Sequence, residues 1–378
     1  MTANQYKQRL ARNAIANMAL LALSGVAGLY PSSSAGEVQW EGGITTVLQH
    51  ADDSRVEAEV TASADLFATL AMGSGEWLLY VEASTAPRAR GVSEFFPTAN
   101  GDAGSVLTND GDGGVQISEF NYTIRHGGGN SLMLGLIDPS AWLDRSRIAN
   151  DENQHFLNGS FVNNATIEFP DYTLGMVYRT SAQRRRPEVT VVIAGSDGIA
   201  DLPDRSYQDL LDFNDTGRGI FLGSGASWLF DRLSLRIGAW VRTDEHEVAD
   251  RPEEEENNFG VYGVVGWQSG PHALNVRTGF ANADVSVARN FLGVAYQHTY
   301  SFGLFGIGAA RSAISSGYRT GSRDSAFDSE VYLRIPILDG AGHVTPSIQY
   351  IEVPGFDATE IVPSSTALIA SMRLHYSF

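Results

Sequence analysis

The chain has 378 residues, a formal net charge of −18, 40 glycines, 10% aromatic and 19% charged residues, and no cysteine. The acidity excludes nucleic acid as a partner, because phosphate binding needs a basic footprint; the absence of thiols excludes disulfides, cysteine-ligated metals and thiol chemistry. Hydrophobic residues reach 43%, yet only one N-terminal stretch approaches the roughly 20 apolar residues of a membrane helix, so this is no helical membrane protein.

Residues 1–35 read as a secretory signal. Lys7, Arg9 and Arg12 form a positive start, residues 14–29 an apolar run, and Ser33-Ser34-Ala35 a small-x-small cleavage site before Gly36. An anchor helix is the alternative, disfavoured by Ser24, Gly25 and Gly28 inside the run. Cleavage removes three positive charges and no acid, taking −18 to −21. The remainder, 36–378, reads as one domain.

From Glu41 onward, apolar and polar residues alternate in segments of about ten, as in strands of a membrane barrel. In residues 232–242, Leu233, Leu235, Ile237, Ala239 and Val241 share one face, and Arg232, Ser234, Arg236, Gly238, Trp240 and Arg242 the other. The spacing predicts strands at 41–49, 55–70, 76–85, 115–125, 130–137, 171–180, 187–194, 217–229, 232–242, 258–268, 272–281, 290–299, 303–314, 327–337, 343–351 and 366–378. Short turns, such as Gly127-Gly128-Gly129 and Ser269-Gly270-Pro271, alternate with longer polar connections at 86–114, 138–170, 195–216, 243–257 and 352–365. The expected fold is all-β: a single transmembrane antiparallel β-barrel of about 16 strands, with long outer loops and short periplasmic turns.

If the apolar face meets lipid, strand charges point into the lumen, since a charge on the lipid face costs about 2–4 kcal/mol at the midplane. The inward acids are Glu57, Glu59, Glu82 and Glu119, on early strands; the inward arginines are Arg179, Arg232, Arg236, Arg242, Arg277, Arg334 and Arg373, mainly on later ones. Opposed acidic and basic arcs would set up a field that admits a polar uncharged solute. The plainer alternative is that these charges pair and fill the lumen. On the first reading, removing Arg236 and Arg277 shifts ion selectivity toward cations and leaves folding intact. The connection 138–170 is long, polar and aromatic, which points to a functional or inward-folded loop. Its Asp138, Asp144, Arg145, Arg147, Asn150, Asp151 and Gln154 are the expected constriction residues, able to exchange hydrogen bonds with sugar hydroxyls.

Other stretches carry less. Glu253–Glu256 reads as a solvated acidic loop, Asp110-Gly111-Asp112-Gly113 lacks the closing glutamate of a calcium loop, and Arg184-Arg185-Arg186 reads as a headgroup anchor. The eight histidines show no metal spacing. His246 beside Asp244 and Glu247 is the nearest candidate for an enzyme site, in a loop of exposed acids; no catalysis and no cofactor are expected.

The segment Gly135-Leu136-Ile137-Asp138-Pro139, followed by Asp144, by Ala149-Asn150-Asp151-Glu152 and by Gln154-His155-Phe156-Leu157-Asn158, resembles the carbohydrate-selective porin family. That family has a G-x-hydrophobic-D-P strand end and then spaced D, A-N-D-E and Q-F-L-N elements; His155 is an insertion in the last. Residues 329–338, Thr345-Pro346-Ser347-Ile348-Gln349-Tyr350-Ile351 and Pro354-Gly355 resemble its C-terminal part, and residues 370–378, ending on Phe378, resemble the assembly signal of outer-membrane barrels. The 86–114 connection departs from the family's layout. The resemblance implies a sixteen-stranded pore in the outer membrane of a Gram-negative bacterium. An inward-folded loop would constrict it, and it would pass glucose and related small sugars with little ionic preference. Its partners would be outer-membrane lipid and the barrel-assembly machinery, through the last strand; a homotrimer is one open assembly. A general size-selective porin, a barrel enzyme and a plugged structural barrel remain as alternatives.

Overall fold

The computed structural model describes residues 36–182, 186–202, 206–211, 218–319, 323–353 and 365–378. The signal segment, Arg184, Arg185, Pro354 and Gly355 lie outside them. The strands are β1 (Gln39–Ala51), β2 (Glu59–Met72), β3 (Gly75–Ser84), β4 (Val115–Arg125), β5 (Ser131–Ile137), β6 (Thr173–Arg179), β7 (Glu188–Gly195) and β8 (Ile220–Phe230). There follow β9 (Leu233–Val248), β10 (Arg251–Ser269), β11 (His272–Ala281), β12 (Ala288–Tyr300), β13 (Gly303–Ile314), β14 (Ser325–Ile337), β15 (Gly342–Glu352) and β16 (Thr366–Ser377).

Each strand pairs antiparallel with its sequence neighbours, and β1 pairs β16, so the sheet closes without a free edge. The seam runs from Gly43↔Ser377 to Ala51↔Ile369, and beyond it Phe378 and Gly42 exchange backbone hydrogen bonds of 2.9 and 3.0 Å. One rim carries tight turns. Gly73 and Gly270 have φ of +63° and +57° there, a conformation that glycine adopts without a Cβ clash. The other rim carries the long connections.

Alternation decides which side chains go where. Along β9, Ile237 is 54% exposed on the outside while Trp240 and Arg242 are buried inside; β16 repeats this with Leu368, Met372 and Leu374 outside, and Ile369 and Arg373 inside. The interior is thus polar and aromatic, and the exterior an apolar belt.

The structure corrects three boundaries. The segment 243–257 is not a loop: β9 and β10 continue as a hairpin with its tip at 249–250, pairing His246 with Glu256 and Glu247 with Glu255. There the inward face stays covered, with Asp244, Val248 and Asn258 buried, but both faces carry polar residues, so no apolar–polar alternation marks the segment, and Glu253–Glu256 are strand residues on its exposed part. Glu57 precedes β2 and pairs with Arg88 at 2.5 Å, beyond the strand's end. Arg232 lies in the turn before β9, 66% exposed beside Asp231, at the rim rather than within a strand.

The connection after β7 folds over the outside of the wall. Pairing of β4 with β5 starts only at Phe120↔Leu136, which leaves the backbone of Ile117 open on that edge. The Tyr207 hydroxyl accepts from Ile117 N (2.7 Å) and donates to its carbonyl (2.9 Å), while Ile199, Leu202 and Leu210 cover Leu136.

Replacing Ile237 by lysine is expected to destabilise the bilayer-inserted barrel by about 2–4 kcal/mol, read by denaturant titration in lipid vesicles. An unchanged midpoint would show that this face does not meet lipid.

Candidate functional site: an inward loop clamped by arginines

After β5 the chain turns inward rather than out of the barrel. The Asp138 carboxylate accepts from the backbone N–H (2.8 Å) and the hydroxyl (2.8 Å) of Ser140, starting a single-turn helix, Ser140–Leu143. Leu143 is fully buried on the inner wall, where Gly223 makes room: a Cβ there would stand 2.2 Å from Leu143 Cδ1. The chain then follows the wall as far as β13 and β14. Phe156 and Phe161 pack together at 4.6 Å and Phe156 meets Tyr332 edge-on at 5.0 Å, over a Gly308 that a side chain would fill.

A backbone crossing a lumen has no ladder partners, and wall side chains supply them. Arg277, 1% exposed, donates to the carbonyls of Phe161 (2.7 Å), Val162 (2.9 Å), Asp144 (3.0 Å) and Ala149 (2.5 Å) and to Asn150 Oδ1 (2.9 Å). Its Nε is 3.3 Å from the Asp144 carboxylate, which also accepts from Asn164 N at 2.7 Å. Arg373 binds the carbonyls of Glu152 and His155, Arg334 binds Gln154 through its carbonyl (2.7 Å) and Oε1 (2.9 Å), and Arg236 binds the Leu143 carbonyl (2.8 Å). From β14, Glu330 accepts the backbone N–H groups of Leu157 (3.2 Å) and Asn158 (2.9 Å), and Asp328 accepts from the Ser160 hydroxyl (2.8 Å).

The expected basic wall is therefore largely a set of tethers. Asp144 and Asn150 belong to the Arg277 clamp and Gln154 to Arg334, so these five residues hold the loop rather than face a solute. The selectivity-only effect expected of removing Arg277 is corrected accordingly: the side chain is structural. Arg242, likewise, is spent on Asp244 (2.8 Å), Glu168 (2.9 Å) and Asp197 (3.2 Å). The contacts of His246 are Glu168 (3.1 Å) and the Asp244 carbonyl (3.1 Å), within this same charge network.

A second loop, 86–114, also enters the lumen, which sequence reasoning missed. Gln49 and Gln349 donate to its Ala99 carbonyl at 3.0 and 2.8 Å, and Glu59 accepts from the backbone of Arg88 (2.6 Å) and Ser93 (2.8 Å). It is joined to the first loop by Gly101 N to the Leu157 carbonyl at 2.9 Å. The signal was present in Val92, Phe96 and Ala99, apolar residues inside a polar connection that now form a buried cluster with Ile351 and Ile369.

What stays toward the lumen is an acidic and aromatic arc on β2 to β4. Phe67 and Tyr80 stack at 4.2 Å, the Tyr80 hydroxyl donates to Asp65 (2.8 Å), Asn153 reaches the same carboxylate at 3.3 Å, Ser118 bonds Glu82, and Asn121 donates to Glu119 at 3.1 Å. Loop residue Asp151 caps its own turn through Asn153 N and Gln154 N, both at 2.8 Å. Toward the short-turn rim lies a cavity of about 800 Å³ lined by Arg145, Arg147, Glu188, Arg236 and Asn275 among others. Arg147 is exposed there, Arg145 pairs with Glu188 at 3.3 Å, and Trp142 lies under Arg179 (5.4 Å) and Arg145 (6.0 Å). Burial raises the Asp138 and Asp144 carboxyls, Arg277 opposing it at Asp144. Burial, then Asp102, Asp151 and Asp65, push Glu152 up to about 8.

A closed sixteen-strand barrel with a loop bound along its inner wall can be compared with solved structures. Pseudomonas putida OprB at high pH matches with a TM-score of 0.67 at 13% identity, over 90% of this chain and 94% of that one. Salmonella typhi OmpF, solved with daunomycin, gives 0.60 at 11%, over 90% and 97%; the outer membrane channel DcaP of Acinetobacter baumannii gives 0.58 at 9%, over 92% and 99%. The fold is that of the outer-membrane porins. No protein-family model and no curated protein matches the sequence. In this fold the clamped segment lies inside the barrel, bound to the wall between the two rims.

Arg277→Ala is expected to destabilise the barrel by about 3–5 kcal/mol, because it leaves Asp144 buried without its cation, and to raise current noise in single-channel records. Arg277→Lys should rescue little, since an ammonium cannot fork to five acceptors. Wild-type stability in both variants would refute the clamp. A second expectation concerns pH. Glu152 is raised from an ordinary 4.5 to about 8, so its contribution is fully present below 4.5 and is lost as pH rises through 8. Channel noise should therefore grow between pH 6 and 9 in the wild type, and not in Glu152→Gln.

Proposed function

We propose that this chain is an outer-membrane porin of a Gram-negative bacterium that passes small sugars by passive diffusion, without catalysis or cofactor. The observation that carries it is the constriction itself: a loop fixed within the lumen, its Asn153 amide reaching the Asp65 carboxylate beside Glu82 and stacked rings. Hydroxyls exchange hydrogen bonds with Asp65, Glu82 and Asn153, and the C–H faces of a pyranose suit Phe67 and Tyr80. On this reading Asp138 and Asp151 shape the loop, while Arg145, Arg147 and Arg179 form the periplasmic exit. The resemblance of residues 135–158 to carbohydrate-selective porins supports the sugar preference. The apolar belt and the last strand suit lipid and the barrel-assembly machinery, a homotrimer suits the fold, and residues 1–35 are the signal peptide.

The alternative of a general, size-selective porin differs in one readout. In planar bilayers glucose or maltose should block ion current saturably, and a neutral polymer of similar size should not; equal, non-saturating effects would leave the general porin. Asp65→Asn with Glu82→Gln should reduce the cation-to-anion permeability ratio by about two- to threefold, measured as a reversal potential in a salt gradient. No change would remove these acids from the conducting path.

A further inference from the structure

A cluster that the channel does not use stands on the outside of the wall, at the tight-turn rim. His272 opens β11 and His298 lies near the end of β12, and the two are direct register partners. Outward alternation puts both rings on the outer side of the wall, at its rim, with Tyr296, Tyr300 and Phe302. His272 Nδ1 is 3.2 Å from His298 Nδ1 and 2.7 Å from the Tyr296 hydroxyl, and the two imidazoles are 4.5 Å apart.

Hydrogen bonding accounts poorly for this arrangement. A ring nitrogen has one in-plane position, filled by a proton or by a lone pair; His272 Nδ1 faces two partners at once. The lumenal pair His343 and His375 makes the contrast. It has the same cross-strand register and rings stacked at 4.8 Å. There His343 Nε2 faces the Asn153 carbonyl (2.9 Å), and His375 bonds Thr45 (2.8 Å) and Ser377 (2.9 Å). The outer pair instead turns its nitrogens toward each other.

We propose that His272 and His298, with the Tyr296 oxygen beside them, form a surface site for a divalent transition-metal ion, Cu²⁺ ahead of Zn²⁺ or Ni²⁺. With metal–nitrogen bonds of about 2.0–2.1 Å, the 3.2 Å separation subtends about 100° at the ion, between square-planar and tetrahedral angles. Two imidazoles and a phenol oxygen suit copper, which also heads the affinity order for such donors; water completes the shell on the exposed side. Among the described residues no group of three or more His, Asp or Glu is arranged for a metal, so this would be a two-histidine site. Strands β11 and β12 are joined in sequence only at the opposite rim, so the ion would clip together the open ends of that hairpin.

The test is calorimetric titration of Cu²⁺ into the EDTA-treated, full-length protein in detergent, with electron paramagnetic resonance of the same samples. One equivalent should bind in the micromolar range, show two nitrogen couplings and raise the melting temperature. His272→Gln and His298→Gln should each weaken binding about tenfold or more and abolish the two-nitrogen signal, while His126→Ala, in a separate turn, should bind as wild type. Both substitutions are at the surface, and heat-modifiable gel migration reports that the barrels fold. Absent stoichiometric binding, or undiminished binding in both glutamine variants, would overturn the site.

Discussion

The architecture depends on one interaction: the buried Arg277 guanidinium bound to four loop carbonyls, Asn150 and Asp144. A loop crossing a lumen strands its carbonyls away from both ladder and water. Arginine presents several donors in a rigid fork and stays charged when buried, so one side chain serves backbone from Asp144 to Val162. The dependence is mutual. A cation in that position would be costly without acceptors around it, and the loop's carbonyls and Asp144 provide them. Wall and loop are therefore each incomplete alone, and small residues at the contact, Gly223 and Gly308, are part of the fit.

The clamps also determine the electrostatics of what is left. Arg236, Arg277, Arg334 and Arg373 direct their donors at loop carbonyls, and Arg242 is surrounded by three carboxylates. Asp65, Glu82 and Glu119 instead take hydroxyl and amide donors. The donors toward these acids are therefore neutral groups, while Arg147 is exposed in the cavity near the short-turn rim.

Alternation made the barrel legible. Wherever one face meets the apolar belt and the other the lumen, as along β9 from Leu233 to Arg242, period-two patterning gave direction and boundaries to within a few residues. It failed where that contrast ends. The outer half of the β9–β10 hairpin carries polar residues on both faces, Glu245 and Glu247 outward and Asp244 and His246 inward, so residues 243–257 read as a loop. Orientation was also as far as the pattern could go: it placed Arg277, Arg334 and Arg373 inside but could not say that backbone, rather than solute, waits for them there. A partner defined only by three-dimensional closure leaves no periodic trace.

The same limit hid the second inward loop, and that loop changes what the constriction is. Thr98 and Ser160 donate to the same Asp328 carboxylate, each oxygen taking one (2.9 and 2.8 Å), Gln349 bonds both Ala99 and Asn158, and Gly101 N reaches Leu157. The two loops thus share acceptors on β14 and β15 as well as a direct backbone bond. Displacing either one would orphan buried polar groups that hold the other, at about 1–3 kcal/mol for each group left unsatisfied. The brace inside the lumen is a property of both loops together, and the 86–114 segment is as much part of it as the loop that follows β5.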